Sequence, residues 1–124
     1  MKERTFAREK AIQALYQIDI NKDVSIDHIS ETLEDLNDYS KKLITGVLEH
    51  LSEIDQAISD KLEKWSFNRI ATVEKTVLRI AVYEMLYVDD VPREVTINEA
   101  VELAKRFNED QSGKFINGVL SKFM

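Results

Sequence analysis

Apolar residues recur at the spacing of an amphipathic helix along almost the whole chain. In the opening segment they follow Ala7 at i+4, i+7, i+8 and i+11, which places them in one stripe along a helix. Residues that form turns are scarce, because the sequence contains only three glycines and one proline. The pattern therefore predicts an all-α protein with six or seven helices and no strand.

The stretch NKDVS at residues 21–25 interrupts this pattern, and Ser25 is the predicted N-cap of a short second helix. The apolar positions of that helix are Ile26, Ile29, Leu33 and Leu36. After the turn LNDY, we expect one long helix with an apolar side formed by Leu43, Val47, Leu51, Ile54, Ile58 and Leu62.

The segment VEKTVLRIAVYEMLYV at residues 73–88 is apolar on nearly all sides of a helix, which is typical of the buried centre of a bundle. Pro92 follows, and a proline cannot continue a helix. Thr96 and Glu99 then form a capping-box pattern that predicts the start of the next helix. Ser112 is the predicted cap of the last helix. Gly118 lies inside that helix, where glycine costs about 1 kcal/mol relative to alanine, so we expect it to allow close packing of another backbone.

A chain of 124 residues usually forms a single compact unit. The character of the sequence changes around Trp65, from separate amphipathic stripes to a segment that is apolar on most sides. We therefore expect one domain, residues 1–124, with an N-terminal helical half of about 1–63. A C-terminal helical half of about 64–124 would share an interface with it.

Composition excludes several classes of protein. The chain has no cysteine, which removes disulfide frameworks, thiol nucleophiles and zinc sites built on thiolates. No apolar run approaches the ~20 residues that cross a bilayer, and the N-terminus lacks the apolar core of a signal peptide. We therefore expect a cytoplasmic protein without a membrane partner.

The net charge of −6 is unevenly distributed. Residues 24–63 hold three Lys or Arg and ten Asp or Glu, a charge of −7, whereas residues 1–23 carry +1 and residues 64–124 carry zero. The two ends of the chain are therefore able to present positive patches despite the acidic total.

The residues that catalysis or metal binding requires are sparse. The three glycines are too scattered for a phosphate-binding loop. His28 and His50 are the only histidines, and His50 with Glu53 is a weak metal-site pattern. The pair Asp89–Asp90 is better explained by helix termination before Pro92. We therefore expect no enzyme activity, no cofactor and no bound metal.

Two segments have features of an RNA-binding surface. Arg4 and Arg8 flank the first apolar stripe and Tyr16 follows on the same helix, so guanidinium groups for phosphates precede a ring that can stack on a base. The alternative is that these arginines lay their methylene groups along the border of the core.

The second segment contains Ser112 and Lys114, which stand at a predicted helix N-terminus. The free backbone N–H groups of a helix N-terminus favour binding of an anion. The alternative is an ordinary helix start capped by Ser112.

Four segments together resemble the NusB family of bacterial transcription antitermination factors, in the family's order and from end to end of the chain. They are AREKAIQALYQ, VEKTVLRIAVYEML, VPREVTINEAVELAKRF and SGKFINGVLSKF. The resemblance implies an all-helical fold of two three-helix halves that binds boxA RNA jointly with the small-subunit ribosomal protein NusE. It also implies assembly on RNA polymerase, suppression of premature termination on ribosomal RNA operons, and support of ribosome biogenesis.

The resemblance also assigns site residues. The family's RNA-binding positions fall on Lys2, Arg4, Arg8, Tyr16, Gln111, Ser112, Lys114 and Phe115. The surface of the helix that contains Glu74 and Arg79 becomes a candidate for contact with the edge of the RNA or with NusE. Because Glu3 and Glu9 interrupt the basic start, we expect weak RNA binding by the protein alone and stronger binding with NusE.

Two other classes of function remain open at this point. One is a helical protein–protein interaction module that does not bind RNA directly. The other is a regulatory domain of an RNA-modifying enzyme, because RNA cytosine methyltransferases carry a NusB-like N-terminal part. Since the chain ends at Met124, we expect an isolated factor. Some members of the family form homodimers, which would hide the RNA-binding face.

Overall fold

The computed structural model describes residues 2–21, 36–63 and 66–124, with the side chain of residue 2 left out. These ranges hold six α-helices and no strand, as the apolar spacing predicts. The predicted short helix after Ser25, together with His28 and Trp65, lies outside the described residues. The helices are α1 Lys2–Ile20, α2 Asp38–Glu49, α3 Leu51–Lys61, α4 Thr72–Tyr87, α5 Arg93–Phe107 and α6 Asp110–Leu120, with 3-10 turns at Phe67–Arg69 and Ser121–Phe123.

Helix α4 is the centre of the bundle and contacts each of the other five α-helices. Most of its residues from Thr76 to Met85 are buried, including Leu78, Val82 and the carboxylate residue Glu84. The prediction of a central helix is confirmed, and its physical basis is plain: a helix that is apolar on all sides must be covered on all sides.

The predicted long helix is divided at His50 into α2 and α3, so this prediction is wrong. The backbone of His50 has φ −113° and ψ 22°, which ends one helix and begins the next. Leu43 and Val47 before the break, and Ile54 and Ile58 after it, are all fully buried, and both helices contact α4. The break thus lets both apolar stripes reach the central helix.

Two helices start earlier than their cap patterns predict. Helix α5 begins at Arg93 after Pro92, so Thr96 and Glu99 are interior residues and do not form a capping box. Helix α6 begins at Asp110, and the buried Ser112 lies within it, where its hydroxyl accepts a hydrogen bond of 2.6 Å from Asn108 Nδ2. In both cases the hydroxyl that the pattern assigns to a cap forms a hydrogen bond with another side chain instead.

Gly118 differs from its prediction as well. A Cβ placed on Gly118 would have no atom within 4 Å beyond its own stretch of helix, so no other part of the described chain packs closely there. Close approaches occur instead at Gly46, where the ring of Tyr83 occupies the position of the missing side chain, and at Gly113, which lies under the side chain of Lys105. Among the helices of the described ranges, none has the length and apolar character needed to cross a bilayer.

Candidate nucleic-acid interface

Arg8 lies inside the protein, where its side chain is paired with two carboxylates. Only 3% of the residue is exposed. Its Nε and Nη2 donate to the two oxygens of Glu84 at 2.7 and 3.0 Å, and its Nη1 donates to Glu99 Oε1 at 2.9 Å. Such planar, two-pronged pairing is the geometry in which arginine binds a carboxylate most strongly.

The same carboxylate of Glu84 collects two further donors. The hydroxyls of Tyr39 and Thr96 each donate to it at 2.8 Å, and that of Thr5 donates to Glu99. Burial and the charge of Glu84 raise the pKa of Tyr39. Burial disfavours the charge on Arg8, but the hydrogen bonds to Glu84 and the nearby negative charges of Glu84 and Glu99 together outweigh it, and the pKa of Arg8 is raised. This network joins α1, α4, α5 and the start of α2.

This geometry corrects the assignment of Arg8 to the RNA-binding residues. A guanidinium with its donors directed at Glu84 and Glu99 cannot also reach a phosphate in solvent. Removing it from its partners would leave two carboxylates without their counter-charge in the interior, which is costly. Arg8 therefore positions α1 on the bundle, and contact of α1 with RNA stays a prediction for its neighbouring residues.

Arg4 lies at the outer edge of this network and stays accessible. Its side chain is 36% exposed, stacks over the Tyr39 ring at 4.4 Å, and donates to Asp90 at 3.0 and 3.2 Å. That hydrogen bonding lowers the pKa of Asp90. Arg4 and Lys42 are the cations of a groove of about 420 Å³ beside the start of α2.

The other predicted residues of α1 give a mixed outcome. Tyr16 is half-buried, with part of its surface open to solvent. The side chain of Lys2 lies outside the described residues.

At the start of α6, the predicted residues divide into exposed and buried members. Gln111 and Lys114 are exposed and Phe115 is half-buried, so all three have surface available to a ligand. Ser112 lies in the first turn of α6, but it is buried and its hydroxyl accepts a hydrogen bond from Asn108, so its prediction as an RNA contact is corrected. Gln111 and Phe115 line a groove of about 260 Å³ together with Arg69, Ile70 and Glu74.

The C-terminal end of α5 contacts α1 and α6, the two helices that carry the predicted RNA-binding residues. Arg106 forms an ion pair with Glu9 of α1. The adjacent Lys105 lies over Gly113 of α6, where a Cβ would be 2.8 Å from Lys105 Cγ. The C-terminal end of α5 thus contacts both α1 and α6.

This arrangement adds residues that sequence reasoning missed. Phe6 is 40% exposed, and Lys10 lies over its ring at 5.2 Å. Arg106 and Lys105 are exposed on α5 between α1 and α6. The i, i+4 spacing of Phe6 and Lys10 is visible in the sequence, but the proximity of Arg106 to α1 is not, because it depends on how α5 packs.

The two residues predicted to contact a protein partner also differ from each other. Glu74 is half-buried and lines the groove beside Gln111. Arg79 has a side chain only 12% exposed, which donates to Asp55 at 2.8 and 3.0 Å and lies 3.6 Å from Asp19. Arg79 therefore ties α4 to α3 and α1, which corrects its assignment as a direct partner contact.

No cluster of three or more potential metal ligands occurs among residues 2–21, 36–63 and 66–124. Over the same ranges, every buried side-chain nitrogen and oxygen has a hydrogen-bond partner. The buried polar groups are thus used internally, and the groups left for a ligand are the exposed cations and rings described above.

Comparison with known proteins identifies the family. The NusB family model matches residues 5–124. The transcription antitermination protein NusB of Oceanobacillus iheyensis is 51% identical over 121 residues, which cover 95% of each chain. That of Bacillus velezensis is 50% identical and covers 98% of this chain and 94% of its own.

Solved structures agree with these sequence matches. T. maritima NusB superposes with a TM-score of 0.87 at 42% identity, covering 96% of this chain and 88% of that one. A crystal structure of antitermination factors NusB and NusE in complex with dsRNA also gives 0.87, at 30% identity, covering 98% and 96%. By sequence and by structure, the chain belongs to the NusB family.

Proposed function

We propose that this protein is a transcription antitermination factor that binds boxA RNA together with NusE. The relatives that match nearly its whole length are antitermination proteins. The related structure in which NusB is bound to NusE and dsRNA supports RNA and NusE as ligands. In this role the protein joins the antitermination complex on RNA polymerase and supports ribosomal RNA transcription and ribosome biogenesis. The role places it in the cytoplasm, as a binding factor without enzyme activity.

The observation that best supports an RNA surface is the contact between α1, α5 and α6. Glu9 binds Arg106, and Lys105 covers Gly113, so the two exposed cations of α5 lie against α1 and against α6. A strand bound there would meet phosphate-binding cations and rings in alternation, the usual composition of a single-strand site. The RNA-binding set becomes Lys2, Arg4, Phe6, Lys10, Tyr16, Lys105, Arg106, Gln111, Lys114 and Phe115.

NusE is proposed to bind at the groove between α4 and α6. Glu74 lines this groove with Gln111 and Phe115, so a protein bound there would lie next to the RNA. A shared boundary of this kind explains why one ligand would strengthen the binding of the other.

Binding by the isolated protein is expected to be weak because acidic side chains offset part of the cationic surface. Glu9 neutralises Arg106, and Asp90 neutralises Arg4. A fluorescence titration of labelled boxA RNA, with and without NusE, tests this. Tight binding of boxA only when NusE is present supports the proposal, whereas equal binding of boxA and a scrambled RNA in both titrations contradicts it.

Lys114→Glu separates this function from that of a protein–protein interaction module. The side chain is exposed, so reversal of its charge should leave folding intact. We expect the variant to lose RNA affinity and keep NusE affinity. Unchanged RNA binding by the NusE complex would favour the protein module. Molar mass in solution, measured in parallel, reports whether a homodimer hides the surface.

A further inference from the structure

Gly118 is an unexplained residue in the middle of α6. Glycine destabilises the interior of a helix relative to alanine, and a tolerated glycine usually marks the close approach of another group. Gly118 is exposed, and among the residues that the structure describes no atom beyond its own stretch of helix lies within 4 Å of the position where its Cβ would be. Within residues 2–21, 36–63 and 66–124, no packing contact therefore accounts for a glycine at this position.

Gly118 is part of a groove of about 250 Å³ between the end of α3 and α6. Its charged lining residues are Lys61, Lys114, Lys122 and Glu63, and Phe115 forms an aromatic wall. Three lysines against one glutamate give the groove a positive charge in a protein whose net charge is −6. Charge complementarity therefore favours an anionic occupant.

The groove continues the proposed RNA surface along one face of α6. One face of α6 and of the 3-10 turn after it carries, at helical spacing, Gln111, then Lys114 and Phe115, then Gly118 and Lys122. Phe115 borders both the groove beside Glu74 and the groove beside Gly118. At a rise of about 1.5 Å per residue this face is about 16 Å long, enough for a few nucleotides of a single strand.

We propose that RNA flanking the boxA core runs along α6 through this groove, with a base on Phe115 and a phosphate near Lys122. This inference rests on the proposed RNA-binding function and extends it to Gly118, Lys122 and Lys61. Without a side chain at Gly118, the strand lies directly against the helix. Lysines beside an aromatic ring fit a nucleic-acid strand better than an acidic peptide, which needs no stacking surface.

Lys122 is able to turn towards a phosphate. It contacts Glu63 at 3.1 Å and donates to the carbonyl oxygen of Lys61 at 2.9 Å. Both side chains of this ion pair are solvent-exposed, at 38% for Lys122 and 76% for Glu63. An exposed pair is weak enough for a phosphate to displace the carboxylate.

Gly118→Leu in complex with NusE tests the path by filling the space above the helix. The probes are labelled boxA RNA and the same RNA with a few nucleotides added on either side. We expect wild type to bind an extended RNA more tightly than the core, and the variant to lose about tenfold for that RNA, the scale of one stacked base. Affinity for the core alone stays unchanged. Gly118→Ala, with a smaller side chain, should give a smaller loss.

Two charge variants should change the binding of the extended RNA in opposite directions. Lys122→Gln removes one phosphate contact, so the slope of log K against log salt should decrease in magnitude by about 0.7 for the extended RNA. Glu63→Gln removes the competing carboxylate and should raise the affinity for the extended RNA. The core RNA, which meets this groove only at its edge beside Lys114 and Phe115 and does not extend to Lys122 or Glu63, should respond to neither variant.

Four results would overturn the inference. In the first, wild type gains no affinity from either extension of the RNA. In the second and third, Gly118→Leu binds the extended RNA as wild type does, or loses equal affinity for core and extended RNA. In the fourth, the variant binds NusE less tightly while its RNA binding is intact. The last identifies a protein as the occupant. Failure of the wild-type complex to prefer boxA over scrambled RNA is a separate outcome that overturns the proposed function and this extension together. Thermal unfolding of each variant verifies folding.

Discussion

Arg8 shows how a residue's role depends on its partners. In sequence it resembles Arg4, a cation on the first turns of an amphipathic helix. In the structure, Glu84 and Glu99 surround it and make burial of the charge tolerable, whereas Arg4 lies at the surface with Tyr39 and Asp90. Two arginines four positions apart therefore have different functions.

Arg8→Met should strongly destabilise the fold. It leaves Glu84 and Glu99 without their counter-charge, and breaking a buried pair from one side costs about 3–5 kcal/mol. The free energy of unfolding from urea denaturation measures the loss. RNA binding should fall only to the extent that the protein unfolds.

Two control variants separate charge from geometry. Arg8→Lys keeps the charge but not the two-pronged contact with Glu84, so we expect a smaller loss of stability than with methionine. Arg4→Met on the same helix removes an exposed pair and should change stability little. Equal losses in Arg8→Met and Arg4→Met would contradict a buried structural role for Arg8.

Tyr39 should make stability fall at alkaline pH. Its pKa is raised in the folded protein, so the native state holds the phenolic proton more tightly than the unfolded state. The stabilisation is fully present below the unfolded pKa of about 10 and is lost as pH rises through the folded value. Urea unfolding between neutral and alkaline pH measures this, and Tyr39→Phe should flatten the decline.

At the scale of elements, the contact between α2 and α4 depends on Gly46. The Tyr83 ring lies where a side chain of residue 46 would be. Beyond it, the ring of Tyr87 stacks on His50 with a centroid distance of 4.2 Å at the junction of α2 and α3. A helix-interior glycine in this case permits the close approach of two helices.

Alanine at Gly46 and alanine at Gly118, both inside helices, should have opposite effects. Gly46→Ala introduces a methyl group into the Tyr83 ring, and overpacking of this kind costs about 1–3 kcal/mol. Gly118→Ala enters open space and should stabilise the protein by about 1 kcal/mol through helix propensity alone. Calorimetric or urea unfolding distinguishes them. Destabilisation by Gly118→Ala would mean that the space at residue 118 is needed within the fold.

Apolar spacing in the sequence predicts which segments are helical, whereas cap patterns predict less well where each helix starts. Periodic apolar positions identify the helical segments in the described ranges, because burial of a stripe requires that spacing, but they do not show the break at His50 between α2 and α3. Thr96 and Ser112 satisfy the local patterns for caps but are interior residues that hydrogen-bond to Glu84 and Asn108. A cap pattern is short, and a tertiary partner for the same hydroxyl overrides it.

At the scale of the whole molecule, the described helices share one hydrophobic core, which includes residues from α1 to α6 and has α4 at its centre. The division into halves of about 1–63 and 64–124 remains a prediction. Hydrogen exchange would test it, since two halves that open separately should show two levels of protection.

The cationic surface predicts a modest salt dependence of RNA binding. If the NusE complex neutralises three or four phosphates, log K should fall with log salt at a slope of roughly −2 to −3. Lys114→Gln should decrease the magnitude of that slope by about 0.7. A binding titration over a range of salt concentrations measures both, and a slope near zero would exclude phosphate contacts as the basis of binding.

The all-α class, the central position of α4 and the resemblance that identifies the family could be read from the order of residues alone, because helical periodicity is local and near-neighbour residues carry it. Which polar residues face outward depends instead on how the helices pack. Arg8 and Glu84 are 76 positions apart, and Arg79 and Asp55 are 24 apart. Whether a charge is buried or free depends on a partner that packing brings from elsewhere, and local spacing does not encode that partner.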